Sequence, residues 1–354
     1  MDCERADAPE VVFLANKPDA PSFRHRLQPA LPELAARGFR PSVEVLPSGV
    51  VLLRLLERRR RLSSAAAVVL AKTKLHPPEA RLLRRWCRRV VYDFDDAVYT
   101  VRPRRVGHRP AQSPLRQWRF ATLCGIADLV LACNETLAAR ARPHAKRVEV
   151  VPTPVDLERY PKDPPSRSPA RTLVWIGMPE NLRYLELVHS ALARLAGEFR
   201  DLTLRIISSA APPWTDVPIE LVPWSEAGEV DALRTADIGI MPLSDDHWSN
   251  GKCSFKLVQY MAASLPCVAS RVAMNCEVVT PGRNGYLAAT AVEWENHLRA
   301  LLTEDDRGRS LGRAGRQLVE QRFDRRLVAP HTAELIAAVA RPQPQQELTL
   351  NHQS

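Results

Sequence analysis

Short apolar segments alternate with helix-like segments along the first half of the chain. The apolar segments are VVFLA, AAAVVLA, VVYDF, ADLVLACN and RVEVVPT, at residues 11–15, 65–71, 90–94, 127–134 and 147–153. They are short, mostly apolar and rich in β-branched residues, which is typical of strands buried on both faces of a parallel sheet. Residues 23–37, which precede Gly38, predict one of the intervening helices. The alternation predicts an α/β sheet covered by helices on both faces.

The same alternation restarts after residue 170. Residues 151–170 contain six prolines and no sustained helical period, which indicates a linker. The following segments predict helices at about 181–196 and 309–322 and strands in TLVWIG, LTLRIIS, IELVPW, ADIGIMPL and LPCVAS, at residues 172–177, 202–208, 219–224, 236–243 and 265–270. We therefore predict two doubly wound, Rossmann-like domains that face each other across a cleft.

The domain boundaries follow from this pattern. We assign residues 1–155 to an N-terminal domain and residues 171–324 to a C-terminal domain. Residues 325–340 predict a helix that crosses back onto the first domain, and the polar residues 341–354 predict a disordered tail. Open parallel sheets bind ligands beyond the carboxyl ends of their strands, where the strand order reverses. The functional residues should therefore directly follow strands.

Composition narrows the class of partner. The chain has 354 residues, enough for two ordinary cores, and its 50 Lys and Arg against 40 Asp and Glu give a net charge of +10. This excess suits nucleotide phosphates, nucleic acid or an acidic membrane surface, unless it only reflects a high arginine content. No aromatic stripe or recognition motif accompanies the arginines, so we do not expect a nucleic-acid partner.

Cysteine spacing and the N-terminal segment bear on the compartment. The seven cysteines are scattered and include no C-x-x-C pair, which argues against a disulfide framework or a zinc site. The first ten residues are acidic and lack the apolar core of a signal peptide. We expect a cytoplasmic protein. Residues 52–62 place leucines beside four consecutive arginines, which fits either an ordinary surface helix or peripheral contact with an anionic inner membrane face.

Two lysines flank the start of a predicted helix at residues 254–263. The free N–H groups and the positive dipole end of a helix attract phosphate, and Lys252 and Lys256 add positive charge there. Gly177, which ends a predicted strand, leaves room for a phosphate or a sugar near the backbone. From these residues alone, a solvated basic turn is favoured over a phosphate site.

The segment GKCSFKLVQYMAASLPCVASRVAMNCEVVTPGRNGYLA, residues 251–288, resembles the donor-binding segment of GT-B glycosyltransferases of family 4. That family has a pattern like K-x-x-F-K-L-x-[EQ]-Y-M-A-x-G-x-P-V-V-A-S, followed by N-x-E-[VI]-V and N-G-[FY]-L-A. ADLVLACNETLAARA, VEVVPTPVDLERY and WIGMPENLRYL, at residues 127–141, 148–160 and 175–185, are similar to other parts of the family pattern. The resemblance covers roughly residues 120–325.

The resemblance implies a function and a set of residues. It implies a retaining glycosyltransferase whose C-terminal domain binds a nucleotide sugar and whose N-terminal domain binds an acceptor: a glycan, a lipid-linked sugar or a small molecule. We expect no metal and no further cofactor, because the lysines and the helix end can hold the phosphates. The implied donor-binding residues are Gly177, Asn181, Lys252, Lys256 and Gln259.

This chain departs from the family at two glutamates. Their positions are Gly251, which cannot orient a transferred sugar, and Gln259, which can bind a ribose diol only without charge. The departure leaves a second hypothesis open, a non-catalytic GT-B scaffold or sugar-binding protein.

The acidic sequence DFDD at residues 93–96 follows a predicted strand. We expect Asp95 and Asp96 at the cleft on the acceptor side, with a structural turn and metal binding as alternatives. Arg24, His25 and Arg26 begin the first helix, where they suit a phosphate or an acidic acceptor or simply face water. No catalytic base is assigned.

Overall fold

The computed structural model describes residues 8–46, 51–103, 113–160, 162–163 and 169–341. The predicted tail, apart from Arg341, lies outside the described residues, as do residues 161 and 164–168 of the predicted linker.

The first sheet contains six parallel strands in the order β2-β1-β3-β4-β5-β6, so the strand order reverses between β1 and β3. The strands are β1 Glu10–Ala15, β2 Arg40–Val45, β3 Ala67–Ala71, β4 Val90–Phe94, β5 Leu129–Ala132 and β6 Val148–Val150. The helices around it are α1 Pro21–Arg26, α2 Ala30–Ala36, α3 Val51–Glu57, α4 Arg59–Ser64, α5 Pro77–Trp86, α6 Pro114–Ile126 and α7 Glu135–Ala141. Two buried apolar clusters cover its two faces.

The second sheet is also parallel and has the order β12-β11-β10-β7-β8-β9, with its reversal between β7 and β10. The strands are β7 Thr172–Ile176, β8 Thr203–Ile207, β9 Ile219–Val222, β10 Ile238–Met241, β11 Cys267–Ser270 and β12 Tyr286–Ala288. Its helices are α8 His189–Glu198, α9 Glu229–Arg234, α10 Phe255–Ala262, α11 Ala273–Val278, α12 Ala291–Thr303 and α13 Asp305–Arg322, and α14 Arg325–Ala340 follows them. Short 3₁₀ segments span Leu157–Arg159, Pro179–Leu187 and Ser249–Gly251. The predicted class, two doubly wound α/β domains, is confirmed.

Several elements differ from the prediction. The single helix predicted at 23–37 is two helices, α1 and α2, because Pro29 has no N–H to continue the hydrogen-bond ladder. The helix predicted near 181–196 is a 3₁₀ segment followed by α8. Strand β2 was not predicted, since this edge strand, RPSVEV, is partly exposed along its length and lacks an apolar run.

The two described segments that connect the domains pair with each other. The Val155 N–H donates to the carbonyl oxygen of Phe323 at 2.8 Å, and the Arg325 N–H donates to the Val155 carbonyl at 2.9 Å. Beyond this pairing, α14 packs against α2, β3 and β4 of the first domain. The two connecting segments therefore lie side by side where the domains join.

A buried ion pair joins α1 to β4. Arg26 Nη2 lies 2.6 Å from Asp93 Oδ1, and the two side chains are only 2% and 4% exposed. Arg26 Nη1 also donates to the Val151 carbonyl at 2.9 Å and to Thr153 Oγ1 at 3.2 Å. The expectation that Arg26 faces the cleft is therefore wrong, because its guanidinium is occupied inside the first domain.

We predict that Arg26→Met destabilises the first domain by about 3–5 kcal/mol, because it leaves the Asp93 carboxylate buried without its partner. Chemical denaturation followed by tryptophan fluorescence measures the change. Arg54→Met is the control: Arg54 pairs with Glu57 at the surface, where both side chains are more than 40% exposed, and its loss should cost about 0–1 kcal/mol. Equal effects of the two substitutions would contradict a special role for the buried pair.

Candidate functional site

A cavity of about 550 Å³ lies between the carboxyl edges of the two sheets. Apart from Arg26, the site residues predicted from the sequence lie in its wall: Arg24, His25, Asp95, Asp96, Gly177, Asn181, Lys252, Lys256 and Gln259. The structure thus brings residues that are up to 235 positions apart, Arg24 and Gln259, to one place. The role of each residue stays a prediction.

The start of helix α10 is fixed at this cavity. The Tyr260 hydroxyl accepts from the Ile176 N–H and donates to the Ile240 carbonyl, both at 3.2 Å, so it ties α10 to β7 and β10. Ser254, just before the helix, has a left-handed backbone with φ 49°, and its hydroxyl donates to Asn275 Oδ1 at 2.8 Å. The free N–H groups of α10 are therefore held near the point where the second sheet reverses its order.

Two ammonium groups next to this helix end have no ion-pair partner among the described residues. Lys256 Nζ lies 5.4 Å from the centre of the Trp175 ring, and Lys252 Nζ lies 5.7 Å from the centre of the Tyr184 ring. Burial, together with repulsion from Lys252, lowers the pKa of Lys256 to about 7. This part of the cavity lacks negative charge, a deficit that a bound anion would correct.

The other predicted donor residues surround the lysines. A Cβ atom at Gly177 would lie 2.7 Å from the Trp175 ring and 3.0 Å from Lys256 Cε, so glycine leaves the lysine and the ring in place. Asn181 Oδ1 accepts from Arg102 of the first domain at 2.9 Å. Gln259 is 4% exposed, and its side chain lies next to that of Tyr160.

Further residues on this wall were missed by the sequence analysis. Ser208 directly follows β8, and its buried hydroxyl has no hydrogen-bond partner among the described residues. Glu229 is 2% exposed, and its carboxylate accepts from Trp224 Nε1 at 2.9 Å and from Arg159 at 3.3 Å. Ser208 and Trp224 follow strands β8 and β9, so the rule used for Gly177 could have identified them.

The aspartates on the opposite wall are held by a lysine that the sequence analysis also missed. Lys72 directly follows β3 in a left-handed backbone conformation, with φ 50°. Its Nζ lies 2.7 Å from Asp95 Oδ1 and also contacts Asp96 Oδ2. Burial alone would raise the pKa of Asp95, but Lys72 and Arg26 lower it below its ordinary value. Asp95 is thus a paired carboxylate, whereas the Asp96 side chain is the more open one, 25% against 10% exposed.

Arg24 and His25 contact the second domain. Arg24 Nη1 lies 2.7 Å from Glu226 Oε2, and its guanidinium lies 5.2 Å from the centre of the Trp224 ring. The His25 ring packs against the Phe255 ring, with 4.6 Å between centroids and the ring planes tilted by 39°. Burial, and then the charge of Arg24, lower the pKa of His25 to about 4, so this imidazole is neutral near pH 7. These contacts close one side of the cleft.

The structure leaves no room for a side chain at Gly251. A Cβ atom there would lie 2.7 Å from the Ala97 Cβ and 2.8 Å from the Ala97 backbone nitrogen. Next to it, Asn134 Nδ2 donates to the Lys252 carbonyl at 3.0 Å. Residues 251–252 therefore form a contact between the domains, and in this arrangement no glutamate side chain fits at position 251.

Neither a metal cluster nor a membrane span is present in the part of the chain that the structure describes. No three His, Cys, Asp or Glu side chains there are grouped as metal ligands. No described helix is long and apolar enough to cross a membrane.

Comparison with known proteins supports the fold and the class. Residues 170–304 match the family model described as Glycosyl transferases group 1. Among curated proteins, none matches this sequence. The structure is similar to Alr3699/HepE from Anabaena in complex with UDP, at 13% identity and a TM-score of 0.67, covering 93% of this chain and 100% of that one.

Two further solved structures give the same result. Sucrose-phosphate synthase from Thermosynechococcus elongatus has a TM-score of 0.68 at 13% identity, covering 93% of this chain and 98% of that one. The lipopolysaccharide outer core galactosyltransferase WaaB has a TM-score of 0.64 at 12% identity, covering 93% and 99%. The predicted class, a GT-B glycosyltransferase, is confirmed by the family match over 170–304 together with the fold. Membership of family 4 stays a prediction.

We predict that alanine changes stability in opposite directions at Gly251 and at Gly197. Gly251→Ala should loosen the domain contact, because overpacking costs about 1–3 kcal/mol. Gly197→Ala, in α8 with no atom within 4 Å of the added methyl, should be neutral or stabilising by about 0.5–1 kcal/mol. Hydrogen exchange measured on peptides tests both. Faster exchange around Ala97 and residues 249–254 is expected in Gly251→Ala alone, and unchanged exchange there would contradict the steric argument.

Proposed function

We propose that this glycosyltransferase moves a sugar from a nucleotide-sugar donor to an acceptor hydroxyl group with retention of anomeric configuration. The observation that carries the proposal is the pair of uncompensated ammonium groups, Lys252 and Lys256, beside the start of α10. A donor diphosphate supplies the negative charge that this site lacks. That HepE was solved in complex with UDP-glucose supports the same type of donor here.

The diphosphate would lie between the N–H groups of α10 and the two lysines. Charge-assisted hydrogen bonds of this kind contribute about 1.5–3 kcal/mol each. The same groups would stabilise the charge that develops on the leaving diphosphate, which is the main electrostatic contribution available for the reaction. No metal is needed in this proposal, since the protein provides the positive charge.

The nucleoside would extend along the second domain towards Ser208. Gln259 would bind the ribose diol without charge, and the buried Glu229 carboxylate on the same wall would supply a charged acceptor. Each carboxylate oxygen of Glu229 already accepts one hydrogen bond and can accept a second. Ser208 would use its unpaired hydroxyl on the base or the ribose.

The acceptor would bind on the first domain, facing Asp96 and His25. Asp96 is the more exposed carboxylate of the Lys72 cluster and would accept a hydrogen bond from the acceptor hydroxyl. His25, which is neutral near pH 7, would add hydrogen bonding without charge. Arg24 is neutralised by Glu226, so this wall favours a polar, uncharged part of an acceptor.

A non-catalytic scaffold or sugar-binding protein is the second candidate. Gly251 favours this candidate, because the glutamate expected there to orient the sugar is missing. Turnover separates the two candidates, because a binding protein would hold the donor without hydrolysing it.

We further propose a cytoplasmic location. Peripheral membrane contact through helix α3 is the alternative to an ordinary surface helix. Helix α3 exposes Leu52, Leu53 and Leu56 by 45%, 57% and 49%. Of the neighbouring arginines, however, Arg58 and Arg61 form ion pairs with Glu44 and Glu10 at 2.7 Å. This neutralisation favours an ordinary surface helix over electrostatic attachment to lipid.

A panel of nucleotide sugars tests the proposal. The true donor at 100 times its dissociation constant should add about 2.7 kcal/mol to the free energy of unfolding, measured as a thermal shift. Slow hydrolysis of that donor should then be detectable by chromatography and should continue in the presence of EDTA. Binding of a donor without its hydrolysis, and without transfer to any acceptor tested, favours the scaffold. Activity that strictly depends on a divalent ion contradicts the metal-free site.

The titration of Lys256 gives a pH-dependent prediction. Near pH 8 the free site holds Lys256 mostly neutral, because its pKa is about 7, whereas a bound diphosphate raises that pKa. Binding of UDP at pH 8 should therefore take up nearly one proton, and affinity should fall as pH rises from 7 to 9. Calorimetry at pH 8 in two buffers of different ionisation enthalpy measures the uptake.

Substitution of Lys256 should remove this signal. Lys256→Met is expected to weaken UDP binding about ten- to hundredfold and to abolish proton uptake, with no effect on uridine. Lys74→Met, at an exposed lysine of the first domain, is the matched control and should bind UDP like the wild type. If Lys252→Met and Lys256→Met both keep wild-type affinity, the diphosphate does not bind at residues 251–260.

A further inference from the structure

Two cysteines meet at the contact between the domains. Cys133 directly follows β5 in the first domain, and Cys253 lies between Lys252 and helix α10 in the second. Each thiol affects the pKa of the other, so the two side chains are neighbours. Cys253 also packs against the buried apolar clusters of both domains. The thiol pair is therefore an element of the domain contact and not of either core alone.

Hydrogen bonds of neighbouring groups hold the two cysteines next to each other. Asn134, next to Cys133, donates to the carbonyl of Lys252, next to Cys253, at 3.0 Å. The Cys133 thiol also donates to the Asp95 carbonyl at 3.6 Å. These contacts keep Cys133 and Cys253 next to each other as long as the domains keep this arrangement.

Solvent reaches one member of the pair. Cys253 lines the cleft cavity, whereas Cys133 is 0% exposed. The neighbouring Cys133 lowers the pKa of the Cys253 thiol, and burial raises the pKa of the Cys133 thiol. By contrast, burial raises the pKa of Cys87, Cys124 and Cys267 to about 12. Cys253 is thus the accessible, more acidic thiol, with its reaction partner behind it.

We propose that Cys133 and Cys253 are a redox modification site that forms a disulfide between the domains when a small disulfide such as oxidised glutathione enters the cleft. The Cys253 thiolate attacks one sulfur atom of the oxidant and releases one molecule of thiol. Cys133 then loses its proton, attacks the Cys253 sulfur and releases the second. One oxidant disulfide takes up two protons and two electrons to become two thiols, and the two cysteines supply them.

The bond would lock the cleft. It joins the segment before α10 to the carboxyl edge of the first sheet, so the domains can no longer separate there. Exchange of a ligand in the cleft should become slower, a consequence that rests on the proposed nucleotide site. Formation of the bond itself does not depend on that site.

Peptide mapping of the native, full-length chain after treatment with oxidised glutathione tests the proposal. The expected product is a 133–253 disulfide that dithiothreitol reverses. Cys133→Ser should instead accumulate glutathione on Cys253, because the second step is lost. Cys276→Ser, which removes an exposed cysteine, should form the 133–253 bond like the wild type. Glutathione on Cys276 alone, or a stable mixed disulfide on Cys253 in the wild type, would overturn the proposal.

The rate of UDP release tests the locking of the cleft separately from the proposed donor site. Release of UDP should be slower from the oxidised wild type than from the reduced wild type, with no change in the Cys133→Ser, Cys253→Ser double variant. If UDP does not bind the reduced chain, the proposed donor site fails while the mapping result still stands. A 133–253 bond that leaves UDP release unchanged would overturn the locking of the cleft.

Discussion

The buried pair of Arg26 and Asp93 sets the geometry of the cleft on the first domain. A buried charge is tolerated only with its partner, so this pair fixes the end of α1 against the end of β4. His25 directly precedes Arg26, and Asp95 follows Asp93 by two positions. The constraint that keeps the core neutral thus also turns His25 and the Asp95–Asp96 pair towards the same cavity. Because Arg26 also binds the Val151 carbonyl, the crossover to the second domain begins from the same fixed point.

Charge is distributed unequally between the two walls. On the first domain, Lys72 is matched by Asp95 and Asp96, and Arg24 is matched by a glutamate of the second domain. On the second domain, Lys252 and Lys256 have aromatic rings as neighbours and no described carboxylate in an ion pair. An anionic group therefore gains most at the second wall, where it also meets the free N–H groups of α10. The fold itself assigns the two ends of an asymmetric ligand to different domains.

Local sequence patterns could predict the two sheets and the cleft residues because parallel strands place their carboxyl ends at one edge. Lys72, Ser208 and Trp224 obey the same rule and were missed only because their segments carried no recognisable motif. The true position of Arg26 could not be predicted, since its partner Asp93 is 67 residues away in the chain. The steric limit at Gly251 depends on Ala97 of the other domain. A local sequence pattern cannot reveal this contact.

Gly251 also changes how the missing glutamate is understood. In this arrangement the volume of a side chain at position 251 is occupied by Ala97, so the first domain approaches more closely than a glutamate would allow. The same approach brings Cys133 to Cys253 and Asn134 to the Lys252 carbonyl. At residues 251–254 the chain thus has a close contact between the domains and no polar side chain at position 251. Orientation of a sugar would then depend on polar groups of the first domain, such as Asp96, that this contact brings to the cavity.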